Sequence, residues 1–372
     1  MKIGILTVPF NNNYGGYLQA FALMKVLKDM GHEPVIIMRR HNERSVNLVV
    51  RAKYFFKGIV HSFQTRRLCP LVYGKEKDYS YLGMFMHHFV EKWIQPQTPF
   101  LYSTDELRTY CKDKFDAYMV GSDQVWRAIY VPEIENYFLN FTIGWPVKRF
   151  SYAASFGTLT PEYNQQEIAN CGCLIKHFDS ISVRERKSIE VFGRFRWKVN
   201  NVQYVVDPTL LLGADEYKRI IPQKDNCCTN KVFYYILDNN DKIQKLLDYI
   251  GEKINLPISG ISNIQKKYIP LPSVEFWLSE INNSEFIVTD SFHGMVFSII
   301  FNKPFVVLLN NGRGGERFES FLSELSLADR VCNDFDEIDQ ILHKRINWDI
   351  VNSTINSLRV QSLSFLKKIN RL

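Results

Sequence analysis

Residues 285–301 read EFIVTDSFHGMVFSIIF, and this stretch decides the fold class of the chain. The apolar run before the turn predicts a buried strand, and the apolar run after it predicts a buried helix. Asp290 or Ser291 would cap that helix, which puts His293 in or next to its first turn. Backbone N–H groups and the helix dipole favour an anion there. His293 is therefore a candidate to bind a phosphate or carboxylate or to act as a general acid; alternatively, it only holds the loop.

The same strand–turn–helix pattern recurs along the chain. Near its start, predicted strands at 3–8 and 34–38 flank a predicted helix at 14–30. Such a β–α–β unit implies a parallel sheet with a right-handed crossover. Further strands are predicted at 116–120, 149–154, 180–183, 204–206, 232–237, 257–261, 286–289 and 304–309, and one long helix at 161–177. The chain is therefore predicted to be of the α/β class.

The length of 372 residues is too great for one ordinary core, so two domains are expected. An N-terminal α/β domain is predicted at 1–215 and a C-terminal α/β domain at 216–348, while a helical tail at 349–372 is expected to pack back on the rest. Two Rossmann-like domains of this kind commonly face each other across a cleft. Ligands bind at the carboxyl edges of such sheets.

Composition narrows the range of functions. The net charge of +7 suits anionic small substrates or an anionic membrane surface, and no nucleic-acid-binding motif accompanies it. No signal-peptide pattern and no run of about 18 apolar residues occurs, so a cytoplasmic location is expected. The seven cysteines lack paired C-x-x-C spacing and are expected to be free thiols, and no His/Cys cluster has metal-ligand spacing.

Residues 39–77 interrupt the alternation with Lys and Arg interleaved among aromatic and β-branched residues. An ordinary helical insertion with a solvated basic face is the favoured interpretation. The alternative is an interfacial helix that makes peripheral contact with the inner face of the plasma membrane, through anionic lipid or a lipid-linked substrate.

Polar residues follow the predicted strands of the first domain and should gather at one edge of its sheet. Asp123 could orient or deprotonate a sugar hydroxyl, or else form a turn or helix cap. Arg184 could hold a phosphate or carboxylate with two hydrogen bonds, or else pair with Glu185 or another acid. Asp207 precedes Pro208 and is predicted to be structural, because an Asp-Pro turn ends a strand well without any chemistry.

The turn at 11–16, NNNYGG, opens the first predicted helix. It could offer backbone amides to an anion or a sugar hydroxyl, or simply need glycine for a tight turn. It is not a G-x-G-x-x-G fingerprint, and no P-loop motif occurs, so NAD and ATP have no support. The residues predicted to contact substrate are Asn13, Tyr14, Gly15, Ser122, Gln124, Ser155, Asp290, Ser291, Gly294 and Arg317.

Together these segments resemble the polysaccharide pyruvyl transferase family. The matching pieces include NYGGYLQAFALMKVLKDMGHE from residue 13, FDAYMVGSDQVW from 115, FDSISVRERKSIEVF from 178 and FIVTDSFHGMVFSIIFNKPFVVL from 286. They occur in the family's order over about 1–327. One small departure is Gly16, where relatives often have alanine. The basic insertion and the tail are not covered by strong motifs.

The resemblance implies a fold similar to that of GT-B glycosyltransferases, phosphoenolpyruvate as donor and a sugar of a surface polysaccharide as acceptor. The product would be a cyclic pyruvate ketal bridging two hydroxyls, with no further cofactor and no metal. By matching motif, His293 and Arg184 correspond to family positions associated with donor binding and catalysis, and Asp123 is a weaker match.

Two other classes of function remain as alternatives. A GT-B glycosyltransferase would use a nucleotide-sugar donor in the same kind of cleft, and a non-catalytic partner in polysaccharide assembly would use the basic segment as its docking surface. The acceptor sugar, the bridged hydroxyl pair, the carrier of the acceptor and the oligomeric state stay open at this point.

Overall fold

The computed structural model of the chain describes residues 1–41, 82–222, 230–238, 240–262, 270–309, 315–332 and 335–369, except for the side chains of 315–317 and 335–336. Most of the basic insertion predicted at 39–77 lies outside these residues.

The first half of the chain forms a parallel sheet. Its strands are β1 (Lys2–Leu6), β2 (Glu33–Ile36), β3 (Ala117–Val120), β4 (Lys148–Ser151), β5 (Ser182–Val183) and β6 (Gln203–Tyr204). The order is β2-β1-β3-β4, and isolated parallel bridges from Phe150 to Ser180 and from Ala154 to Val183 bring the β5–β6 pair alongside β4. All four residues of β3 are buried, as expected for a sheet covered on both faces by helices.

The helices of this half follow the strands, as the alternating pattern predicts. They are α1 (Tyr14–Asp29), α2 (Met84–Trp93), α3 (Thr104–Cys111), α4 (Gln165–Leu174), α5 (Ser188–Arg194) and α6 (Ala214–Lys218). The long helix predicted at 161–177 is wrong in its bounds. Asn164 and Glu167 form a capping box that starts α4 later, and a 3₁₀ turn follows it at Ile175–His177.

The second half forms another parallel sheet with the order β11-β10-β9-β7-β8. Its elements are β7 (Val232–Ile236), α7 (Asp241–Ile254), β8 (Ile258–Ser262), α8 (Val274–Asn283), β9 (Phe286–Thr289), α9 (Phe292–Ile300), β10 (Phe305–Leu308), α10 (Gly315–Glu324), β11 (Val331–Cys332) and α11 (Phe335–His343). Residues 286–301 thus form the strand and helix that their apolar pattern predicts. The strand order reverses between β7 and β9, which is where such sheets open a crevice for ligands.

Aromatic side chains contribute to a hydrophobic cluster that spans the two halves. The ring of Tyr14 at the start of α1 stacks on Trp277 of α8 at 5.2 Å, and its hydroxyl donates to the carbonyl of Pro272. The last helix, α12 (Trp348–Ile369), returns to the first half, where the hydroxyl of Ser362 accepts from the backbone N of Val206 and Arg359 donates to the carbonyl of Leu210. The described helices include none that is long and apolar enough to span a membrane.

Candidate active site

Arg184 lies where the carboxyl edges of the two sheets meet. It follows β5 and is only 5% exposed. Its Nη1 donates to Oδ1 of Asp123 at 3.2 Å and to Oδ2 of Asp207 at 3.0 Å, while Nε donates to Oε1 of Glu185 at 3.0 Å. A buried guanidinium needs such partners because it has left water. Nη2 has no hydrogen-bond partner in the described part of the chain, which leaves one nitrogen of Arg184 as a donor for a ligand.

Asp207 connects Arg184 to the second half of the molecule. It follows β6 and caps a 3₁₀ turn, because its Oδ1 accepts from the backbone N of Thr209 at 3.0 Å and from the Thr209 hydroxyl at 2.8 Å. This arrangement directs Oδ2 toward Arg184 and toward Nε2 of His293, which is 3.6 Å away. That distance is too long for a direct hydrogen bond, but it is short enough for a substantial electrostatic interaction.

His293 occupies the first turn of α9, as its position after a strand and a capping residue predicts. Ser291 caps the helix by accepting from the backbone N of Gly294. His293 is buried, with 4% of the residue exposed, and its Nε2 has no hydrogen-bond partner among the described residues. The other face of the ring lies against α1, where a Cβ atom on Gly15 would come within 1.9 Å of Nδ1. His293 therefore lies between the first turn of α9, which carries it, and the first turn of α1 in the other half.

The charges of this cluster are set by mutual contact. Burial by itself raises the pKa of Asp207, but the neighbouring His293 and the Arg184 guanidinium outweigh it and hold the pKa of this carboxyl well below its usual range. Burial lowers the pKa of Arg184, but the carboxylates of Glu185, Asp123 and Asp207 raise it above its ordinary value. Asp207 and Arg184 are consequently both ionised near neutral pH.

A cavity of about 540 Å³ opens beside the cluster, which is a volume typical of small-molecule sites. Its walls come from both halves, and the ring of Phe292 lies over the Arg184 guanidinium at 4.9 Å. Among the described lining residues the cationic ones are Arg127, Arg184, Arg186, Lys187 and Arg194, and the anionic ones are Glu162, Glu185 and Asp207. Cationic side chains outnumber anionic ones in this lining, which suits an anionic ligand, but Arg127, Arg184 and Arg186 are also ion-paired with carboxylates.

An ion pair bridges the two halves beside this cavity. Arg186 donates to Oε1 of Glu324 in α10 at 2.6 Å, and the Tyr204 hydroxyl donates to Oε2 of Glu324 at 2.9 Å. The guanidinium of Arg186 also lies over the Tyr204 ring at 4.2 Å. The bridge connects the loop after β5 with the second half.

The other predicted site residues divide into two groups. Those of the first group lie near the cluster: Asn13 caps α1 next to Gly15, and the Ser155 hydroxyl donates to Oε1 of Glu185 at 2.9 Å. Gln124 accepts from Arg127, a lining residue of the cavity. The side chain of Arg317, in α10, lies outside the described residues.

The remaining predicted contacts are engaged within the protein. The Ser122 hydroxyl donates to the carbonyl of Ala153, and Tyr14 packs between the halves. Asp290 accepts from the backbone N atoms of Leu237 and Asp238, which ties the ends of β9 and β7 together. Gly294 allows α9 to approach Thr289, since a Cβ atom would lie 2.3 Å from its hydroxyl oxygen.

Two residues of the cluster are absent from the sequence-based set. Asp207, which its Asp-Pro sequence predicts to be structural, forms the contact between Arg184 and His293. Glu185 holds Nε of Arg184, and its Oε2 accepts from the Ser188 hydroxyl. The ion pair of Glu185 with Arg184 is the alternative predicted for Arg184 from the sequence, and it is present in the structure. The signal for Asp207 is that it comes shortly after a strand that ends at the same sheet edge as Arg184.

Comparison with solved structures identifies the architecture. The chain resembles UDP-GlcNAc 2-epimerase of Methanocaldococcus jannaschii in complex with UDP-GlcNAc and UDP, with a TM-score of 0.52 and 14% identity over 98% of this chain and 100% of that one. The corresponding enzyme of Neisseria meningitidis bound to UDP-GlcNAc gives a TM-score of 0.53 and 10% identity over 98% and 99%. At such identities the likeness shows the fold alone. It confirms the predicted α/β class with a GT-B-like arrangement.

The fold and the cluster together define a two-domain α/β protein of the GT-B-like class with a buried ionic site in its cleft. The family model for polysaccharide pyruvyl transferases matches residues 13–312, a range that contains Asp123, Arg184, Asp207 and His293. The chain belongs to this family, which confirms the resemblance seen in the sequence. No match was found among curated proteins.

Proposed function

We propose that this protein transfers the pyruvyl group of phosphoenolpyruvate onto two hydroxyls of a sugar in a cell-surface or capsular polysaccharide precursor. The product is a cyclic pyruvate ketal, and inorganic phosphate is released. The observation that carries the proposal is the contact of Arg184, Asp207 and His293 beside a cation-lined cavity in the cleft. Membership of the family supports pyruvyl transfer in polysaccharide synthesis.

Phosphoenolpyruvate carries a phosphate and a carboxylate, and the cavity offers cationic hydrogen-bond donors that suit both groups. Nη2 of Arg184 has no hydrogen-bond partner among the described residues, and Arg186, Lys187 and Arg194 line the same space. Cations in a partly buried cleft attract and orient anions more strongly than they do in water. These residues are therefore proposed to hold the donor. The rest of the cavity, walled in part by Phe292 and Phe321, would take the sugar.

The reaction requires a proton on the methylene carbon of the donor. In our proposal protonated His293 supplies it, and the ionised Asp207 beside the ring stabilises the positive charge of the imidazolium. The central carbon of the donor becomes oxocarbenium-like and is attacked by the first sugar hydroxyl, whose proton passes to Asp123. Phosphate then leaves, and the second hydroxyl adds to the same carbon, closes the ring and passes its proton to the departing phosphate. Preorganised charges of this kind are effective because they need not reorganise during the reaction.

The proposal is tested by phosphate release from phosphoenolpyruvate with a panel of galactosyl, glucosyl and N-acetylhexosaminyl acceptors, followed by mass spectrometry. We expect acceptor-dependent phosphate and a product heavier by pyruvate less one water. His293→Gln should lower the rate by about 10²–10⁴-fold, the usual contribution of general acid–base catalysis. His177→Gln, a change of an exposed histidine, is the matched control. Binding of a nucleotide sugar without any binding of phosphoenolpyruvate would favour a glycosyltransferase instead.

The proposed steps use side chains alone, so addition of EDTA should leave the rate unchanged. A rate restored only by added divalent metal would contradict this part of the proposal.

A lipid-linked acceptor at the inner membrane face is part of the same proposal and depends on the basic sequence at 39–77. Replacement of the basic residues between 51 and 67 by Gln should weaken binding to vesicles that contain anionic lipid. Equal binding of both proteins would rule out this membrane contact.

A further inference from the structure

Gln19 is a fully buried polar residue on α1 whose amide is completely engaged. Its Oε1 accepts from the backbone N of Ser122 at 3.0 Å, and its Nε2 donates to the Thr7 hydroxyl at 2.7 Å and to the carbonyl of Gly16 at 3.0 Å. A buried amide is costly unless every group is paired, whereas an apolar side chain would fill the same space at no such cost. The specific role of Gln19 therefore lies in what its amide holds.

The Gln19 amide binds the turn after β3, and Thr7 binds the same turn through its hydroxyl. The Thr7 hydroxyl accepts from Gln19 and donates to the carbonyl of Ser122 at 3.1 Å. The backbone N–H of Ser122 is bound by Gln19 and its backbone carbonyl by Thr7, while its hydroxyl donates to the carbonyl of Ala153 at 2.8 Å. Both backbone hydrogen-bonding groups of Ser122, its N–H and its carbonyl, are thus fixed by buried side chains.

The next residue is Asp123, which the turn holds in an unusual conformation. Its φ is +72°, in the left-handed region that residues other than glycine adopt only occasionally, aspartate and asparagine more readily than the rest. Such a conformation persists only where the surroundings enforce it. In this conformation Oδ1 of Asp123 lies 3.2 Å from Nη1 of Arg184, at the edge of the cluster.

We infer that Gln19 is a positioning residue for Asp123, acting with Thr7 through the backbone of Ser122. The inference rests on the proposed function, in which Asp123 takes the proton of the acceptor hydroxyl. The carbonyl of Asp123 also accepts from the backbone N atoms of Val125 and Ser155, so release of Ser122 frees the N-terminal side of Asp123 and lets its carboxylate shift away from the reacting hydroxyl. Arg184 keeps Asp207 and Glu185 as partners, so donor binding is affected much less than turnover.

Isosteric changes at Thr7 separate positioning from packing. Thr7→Val keeps the shape and removes the hydroxyl, whereas Thr7→Ser keeps the hydroxyl and removes a methyl group. We expect Thr7→Val and Gln19→Met to lower kcat by about 10–100-fold, the effect of a small misplacement of a reacting group, with KM for phosphoenolpyruvate changed less than about threefold. Thr7→Ser should retain most of the rate. Ser284→Ala, which removes another fully buried hydroxyl at the opposite edge of the second sheet, is the control.

A purely structural role predicts the reverse order, with Thr7→Ser at least as impaired as Thr7→Val, and that order would overturn the inference. Hydrogen exchange of the segment 117–126 gives a second readout that does not depend on turnover. Gln19→Met should accelerate exchange in this segment while the rest of the first sheet stays protected. If the wild-type protein transfers no pyruvyl group, the proposed function fails, yet unchanged exchange in Gln19→Met would separately refute the positioning role.

Discussion

A Cβ atom on Gly15 would lie 1.9 Å from Nδ1 of His293, so the first turns of α1 and α9 are in direct contact across the cleft. Real Cβ atoms do not approach other atoms so closely. His293, the candidate catalytic residue of the second half, therefore packs directly against the backbone of Gly15 in the first half. This contact makes the position of His293 depend on a residue with no side chain.

Gly15→Ala should displace His293 from Asp207 and lower the rate by about 10²-fold or more, comparable with loss of a general acid. Gly16→Ala is a matched control, because a Cβ atom there meets nothing within 4 Å. Where there is space, alanine in a helix stabilises the folded protein by roughly 0.5–1 kcal/mol relative to glycine. Gly16→Ala should therefore raise the melting temperature, whereas Gly15→Ala should lower it. Full activity in Gly15→Ala would show that the ring position is not critical.

Asp207→Asn should remove stability in a pH-dependent way. A carboxyl whose pKa is depressed on folding contributes stability that is present above its unfolded value of about 4 and is lost as the pH falls through the folded value. The loss caused by Asp207→Asn, measured by urea unfolding, should therefore be larger near pH 7 than below about pH 3. Asp215→Asn, at a highly exposed carboxylate, is the control. An equal loss at both pH values would contradict the ionised state of Asp207.

Arg184→Lys should abolish most activity even though the charge is kept. The guanidinium reaches three carboxylates at once and leaves Nη2 for a ligand, whereas an ammonium is a point charge without that planar geometry. Arg39→Lys is a comparison with matched burial, since Arg39 is 2% exposed and binds Glu133 and Asn136 away from the cluster. Both variants should be less stable in urea, but only Arg184→Lys should lose phosphate release. Comparable rates in the two variants would remove Arg184 from the mechanism.

The Arg186–Glu324 pair should contribute modestly to stability, because the Arg186 side chain is 56% exposed. A double-mutant cycle with Arg186→Met and Glu324→Gln should give a coupling free energy of about 0.2–1 kcal/mol, and this value should fall as salt is added. Tyr204→Phe, which removes one hydrogen bond to Glu324, separates the ionic contribution from the hydrogen bond. A coupling free energy that does not change with salt would show that the contact is held by packing rather than by charge.

Local sequence pattern was sufficient to predict most strands and helices and the part of the site around His293. The strand at 286–289 has the predicted bounds, Ser291 caps the next helix, and His293 lies in its first turn. These features depend on apolar periodicity and capping chemistry within a few residues. The helix predicted at 161–177 shows the limit of such patterns, because the capping box at Asn164 makes the helix begin at Gln165 instead.

The ion pairs of the site could not be predicted from local sequence pattern. Asp123 and Asp207 are separated from Arg184 by 61 and 23 residues, and each follows a different strand. The sequence predicts that such residues share a sheet edge, but it does not distinguish a carboxylate that pairs with Arg184 from one that only ends a turn. The Asp-Pro pattern predicts the second kind for Asp207, because such a turn ends a strand without any further partner.

The sequence by itself determined the α/β class, the order of the elements and the family, because these follow from short-range periodicity and from motifs in a set order. Only the tertiary structure decided that His293 lies on Gly15, that Asp207 lies between His293 and Arg184, and that Gln19 holds the turn before Asp123. The physical reason is that buried charges and amides are stable only when distant segments bring them partners. Those pairings depend on which strands and helices pack together, not on the identity of the neighbouring residues in the chain.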